Sequence, residues 1–85
     1  MPPRLKKNRL PQSIALGKRL RKLREAKGWT LERAGEAARM NEIQIGHIER
    51  GATDPKLSTI LKLARAYGLT ASHLLRSIGT AGTSE

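Results

Sequence analysis

The chain has 85 residues, 17 Lys+Arg against 7 Asp+Glu for a formal net charge of +10, 38% apolar residues, one Trp, one Tyr, and no Phe or Cys. This predicts one small domain with an aliphatic core, and it excludes disulfide, thiolate-metal and thiol chemistry. No apolar run approaches the roughly 20 residues that a bilayer span requires. The scarcity of aromatics and the absence of Val favour packed helices over a sheet.

Pro2, Pro3 and Pro11 bracket an opening segment without hydrophobic periodicity, so residues 1–12 read as a flexible basic arm. Residues 1–24 contain no acid, as in an organellar transit peptide, but the segment runs directly into a helix that the fold needs. Ser13 is the expected N-cap of a first helix, with Leu16, Leu20 and Leu23 on one face and Gly28 at its end. Thr30 caps a second helix whose Leu31, Ala34, Ala37 and Ala38 require a neighbour to come close. Asn41 stands three residues before Gln44 in a capping-box spacing, with Met40 and Ile45 placed as a hydrophobic staple. A third helix therefore starts near Glu42, buries Ile45 and Ile48, and stops before Gly51. A loop through Asp54-Pro55 leads to a fourth helix, with Leu57, Ile60, Leu61 and Ala64 expected inward and Gly68 at its end. Thr70 caps a fifth, with Leu69 and Leu74 as its staple and Leu75 and Ile78 extending its apolar side. The folded domain is thus expected at 13–78 and a Gly/Thr/Ser-rich tail at 79–85.

Charge is unevenly spread: nine of the ten net units fall within residues 1–28, whereas residues 29–51 are slightly acidic. A polyanionic partner follows, double-stranded DNA first and an anionic membrane surface second. Membrane binding would take the Leu16/Leu20/Leu23 stripe from the core, so no membrane role is expected. An enzyme is excluded on inventory: His47 and His73 lie on different helices, there is one Asp, and no phosphate-cradling glycine loop is present. No metal site and no cofactor are expected.

Two short helices joined by about four residues in a basic five-helix chain fit a helix-turn-helix unit. The run from Leu16 to Leu75 resembles the phage-repressor (Cro/XRE-type) helix-turn-helix family. The resemblance rests on Leu16-Gly17, Leu20, Leu23-Arg24, Gly28-Trp29-Thr30, Ile45, Ile48-Glu49-Arg50-Gly51, Pro55, Ile60, Leu63-Ala64, Gly68-Leu69 and Leu74-Leu75. It implies an all-α, compact, lambda-repressor-like five-helix bundle with a central helix-turn-helix. It also implies that the second helix braces the DNA backbone, that the third enters the major groove, and that Arg24 pairs with Glu49. Four positions depart from the pattern: Leu31 stands where a phosphate-contacting Gln is common, Ala34 where a large apolar residue is usual, Gly35 where Ala is usual, and Arg39 where Gly fills the turn. Gly46 within the third helix fits close approach to DNA and simple tolerance equally well.

With Ile45 and Ile48 inward, Glu42, Ile43, Gln44 and His47 project outward, and the family alignment places Glu42, Ile43 and His47 at base edges. Glutamate can accept from cytosine N4, isoleucine can meet a thymine methyl, and histidine can donate to a guanine acceptor. Phosphate candidates are the helix N-termini at Thr30 and Asn41, with Arg50 and Lys56 in the loops. Arg4, Lys6, Lys7 and Arg9 of the arm either wrap the duplex or enter a minor groove, or else form a solvated tail. The expected function is a cytoplasmic, nucleoid-associated bacterial or phage transcriptional regulator. Without an effector domain in these residues, repression is favoured over activation. A homodimer on a pseudo-palindromic operator is expected, with Leu74, Leu75 and Ile78 as the contact between copies or as part of the monomer core. The alternative is an antitoxin or other protein-interaction module, with a toxin partner and autoregulatory DNA binding.

Overall fold

A computed structural model describes residues 10–76 and 78, and the regular structure among them is entirely helical. Five helices follow in order: α1 (Pro11–Ala26), α2 (Leu31–Ala38), α3 (Glu42–Glu49), α4 (Leu57–Ala66) and α5 (Ala71–Leu74). The proposed arm residues 1–9, including Arg4, Lys6, Lys7 and Arg9, and the tail at 79–85 lie outside the described residues. Among the described residues, no helix is long and apolar enough to cross a membrane.

Four helices end in the same hydrogen-bonded turn. After α1, Gly28 N–H donates to the Glu25 carbonyl at 3.0 Å and Trp29 N–H to the Arg24 carbonyl at 3.1 Å. Equivalent pairs close α3 through Gly51 and Ala52, and α4 through Gly68 and Leu69. These three glycines have positive φ, as the turn demands. Arg39 takes that role after α2 at φ 58°, a conformation that costs a non-glycine residue about 1 kcal/mol. Thr30 and Thr70 cap α2 and α5, each hydroxyl accepting from the backbone N–H three residues on at 3.0 Å.

The start of α1 differs from expectation. The helix begins at Pro11, whose fixed φ and missing N–H suit a first turn, so Ser13 is not its cap. Ser13 is instead buried, and its hydroxyl has no partner among the described residues. Leu10 therefore occupies the N-cap position of α1, with no side-chain cap hydrogen bond.

The core gathers Leu16 and Leu20 of α1, Ala34 and Ala38 of α2, Ile45 and Ile48 of α3, Leu63, Ala64 and Tyr67 around α4, then Leu74 and Ile78. On α4 the inward stripe is Ile60, Leu63, Ala64 and Tyr67. Leu57 and Leu61, expected inside, are 66% and 49% exposed because they lie on the flank of that stripe. The C-terminal apolar residues resolve toward the monomer. Leu74 is 0% exposed and Ile78 is buried, so both belong to one chain's interior, while Leu75 packs against the core and stays partly exposed. Arg19 Nε fastens this end by donating to the Leu74 carbonyl at 2.9 Å.

Small residues let the helices touch backbone to backbone. A Cβ on Gly17 would lie 2.5 Å from the Ile48 carbonyl oxygen, so α1 rests directly on the end of α3. One on Gly35 would lie 2.6 Å from the Met40 carbonyl, which holds the turn between α2 and α3 equally close.

Tyr67 stacks its ring near Trp29, with centroids 5.5 Å apart. Burial pushes its phenol up to about 12; the Glu49 carboxylate adds to the rise and the Arg24 guanidinium opposes it. A raised folded value means that the folded state holds this proton more tightly. Its contribution to stability is therefore complete below pH 10 and is lost as pH rises to about 12. As the single tyrosine, it reports itself: phenolate absorbance should titrate near 12 in the folded protein and near 10 in denaturant. Between those pH values the denaturation midpoint should fall more in the native sequence than in Tyr67→Phe.

Candidate nucleic-acid interface

The geometry of α3 follows from its two ends and its buried side. At its start the Asn41 side chain accepts from Ile43 N–H at 2.7 Å. The reciprocal half of a capping box, from Gln44 back to Asn41, is not formed among the described residues. The staple positions are both packed inward: Ile45 is buried and Met40 lies against the core. With Ile45 and Ile48 at 2% and 1% exposure, the opposite face carries Glu42, Ile43, Gln44 and His47, all exposed. Ile43 is 63% exposed, a large apolar side chain standing in water on an eight-residue helix.

Arg24 locks this helix in place from beneath. Its Nε donates to Glu49 Oε2 at 2.7 Å and its Nη2 to Glu49 Oε1 at 2.9 Å, a two-pronged pair whose side chains are only 13% and 7% exposed. The third nitrogen, Nη1, donates to the Trp29 carbonyl at 2.9 Å, immediately before the Thr30 cap of α2. One guanidinium thus joins the end of α1, the entry to α2 and the last residue of α3. The Glu49 hydrogen bond raises the Arg24 pKa further above its ordinary range, so the cation is permanent. Trp29 itself is flanked by Lys27 and Arg33, each about 5 Å from its ring.

Thr30, at the start of α2, and Asn41, at the start of α3, are both exposed and both capped by their own side chains. Arg50 closes α3 and is exposed, with its Nη2 3.1 Å from His47 Nδ1. Lys56 precedes α4 and lines a polar groove with Gln44, Thr53, Ser58, Thr59 and Lys62. The sequence alone does not point to Lys62. Its place beside Gln44 depends on how α4 crosses α3, and helical periodicity within α4 carries no signal of that.

A family model for the helix-turn-helix domain matches residues 15–76. The HTH-type transcriptional regulator DdrOP3 of Deinococcus deserti is 38% identical over 65 residues, covering 76% of this chain and 50% of that protein. The HTH-type transcriptional regulator ImmR of Bacillus subtilis is 34% identical over 62 residues, covering 73% and 49%. This chain therefore spans about half the length of these curated relatives. Among solved structures, the restriction-modification controller protein C.AhdI of Aeromonas hydrophila superposes with a TM-score of 0.70 at 35% identity, covering 73% of this chain and 94% of that one. The clp gene regulator ClgR of Corynebacterium glutamicum superposes at 0.74 with 28% identity, covering 87% and 92%.

Removing one partner of the buried pair strands the other's charge. Arg24→Ala should cost about 3–5 kcal/mol in chemical denaturation. Combining Arg24→Met with Glu49→Leu should recover all but about 1 kcal/mol, the remainder belonging to the unpaired Trp29 carbonyl.

Proposed function

The chain belongs to the helix-turn-helix domain family, and on that basis we propose that it is a sequence-specific regulator of transcription that binds double-stranded DNA. The observation that carries this reading is the exposed face of α3, where Glu42, Ile43, Gln44 and His47 stand together opposite a fully buried side. In the major groove, Glu42 accepts from cytosine N4, Ile43 meets a thymine methyl, and Gln44 and His47 address neighbouring edges. The backbone N–H groups at the starts of α2 and α3, around Thr30 and Asn41, take phosphates. Arg50 and Lys56 add charge, and the arm's Arg4, Lys6, Lys7 and Arg9 supply further sequence-independent attraction.

The protein acts as a homodimer on a pseudo-palindromic operator, each α3 reading one half-site, and represses by occluding a promoter. Four exposed reading residues on so short a helix specify only a few base pairs, and two-fold repetition supplies the remaining selectivity. The regulator names of the relatives support this reading over the antitoxin alternative.

Selection from a random duplex library at about 150 mM salt tests it, because non-specific binding weakens steeply at that ionic strength. Two inverted half-sites about 10 bp apart should be enriched. Glu42→Ala, Ile43→Ala and His47→Ala should each relax a different base position, by about 1–3 kcal/mol of discrimination. Retention of DNA without any enriched motif would reduce the protein to a generic polyanion binder and overturn the proposal.

A further inference from the structure

Leu31, which departs from the phage-repressor pattern, and Gly46, a glycine inside α3, come together around one cation. Gly46 is the fifth residue of α3, His47 the sixth, and Arg50 follows the helix end. A Cβ on Gly46 would lie 3.2 Å from Arg50 Nη1, 3.8 Å from Arg50 Nη2 and 3.8 Å from Leu31 Cδ1. The guanidinium of Arg50 is therefore folded back over the bare backbone of Gly46, with the apolar end of Leu31 on its α2 side. In that position its Nη2 stands 3.1 Å from His47 Nδ1.

The chemistry of the two groups fixes the direction of that contact. Arginine has five N–H donors, no acceptor, and does not lose its proton in proteins. The contact is a hydrogen bond only if Nδ1 offers its lone pair, which leaves the single ring proton on Nε2. We infer that Arg50 and Gly46 are positioning residues that hold His47 as an Nε2–H donor, so that the sixth position of α3 reads a base edge presenting an acceptor and rejects cytosine. Resting on the recognition-helix reading above, this assigns His47 to purine N7, guanine O6 or thymine O4. Cytosine, which offers only the N4 amino donor in the major groove, leaves the Nε2–H unpaired. Gly46 is thus the slot that admits the guanidinium, and its role concerns the shape of the reading face more than approach to DNA.

Ring 15N shifts of the free protein, taken at mildly alkaline pH where imidazoles are neutral, test the tautomer, and duplex selection tests the consequence. In the native sequence His47 should carry its proton on Nε2, and one position per half-site should exclude cytosine. Arg50→Ala should give a mixture of tautomers and admit cytosine at that position at least about fivefold more often, as His47→Ala does. Gly46→Ala gains helix propensity and shifts only the mobile end of Arg50, by a few tenths of an ångström, so it remains folded and should relax the same position less than Arg50→Ala does. A native ring protonated on Nδ1, or an Arg50→Ala variant that excludes cytosine as before, would overturn the inference. If His47→Ala changes nothing while Ile43→Ala still relaxes its own position, His47 is not a reader although α3 remains one. If the native protein enriches no motif, the recognition-helix reading itself fails.

Discussion

The guanidinium of Arg24 fixes three elements at once: the last turn of α1, the Trp29 carbonyl before α2, and Glu49 at the end of α3. Taking both charges out of water is costly, and the attraction offsets that cost only when the geometry satisfies nearly every donor. All three nitrogens of Arg24 donate and both Glu49 oxygens accept, and this is why the pair can sit at 13% and 7% side-chain exposure. A small displacement of α3 would break two charged hydrogen bonds together. The pair therefore holds α3 in one position more strictly than an apolar contact, which tolerates sliding, would do.

Backbone proximity makes that geometry reachable. Gly17 lets α1 rest on the Ile48 carbonyl, Gly35 lets the turn close on Met40, and Ala34 and Ala38 leave α2 nearly bare where it meets the core. A core without Phe or Val gains less from each side chain, and close packing of helices restores part of the lost dispersion contact. The outward face of α3 is the other side of this arrangement: with Ile45 and Ile48 sealed inward, Glu42, Ile43, Gln44 and His47 are left exposed.

Local rules made much of this legible in the sequence. Thr30, Asn41 and Thr70 cap where their side chains suggest, Gly28, Gly51 and Gly68 close helices, and the inward pair on α3 identifies its outward face. Legibility ended where two local rules compete or where placement depends on another helix. Pro11 outranks Ser13 as the start of α1. In α4 the run from Leu57 to Ala64 fits two apolar stripes one step apart, and only the docking of the helix chooses the one containing Leu63. The burial of Leu74 and Ile78, the groove that brings Lys62 to Gln44, and the fold-back of Arg50 over Gly46 are all set by contacts between elements, which periodicity within one element cannot express.

The excess positive charge and the exposed face of α3 occupy different parts of the molecule. Lys18, Arg21, Lys22 and Lys27 are exposed on or just after α1, while the segment containing α2 and α3 is slightly acidic. Affinity that comes from cations alone would bind any duplex, so the account stands on α3 as the surface that meets the bases. The most direct test is to titrate 15N-labelled protein with its selected duplex and map the amide shifts. The largest changes should fall on residues 42–47 and on the capped start of α2 near Thr30. Changes concentrated on α1, with the amides of α3 unmoved, would contradict the account.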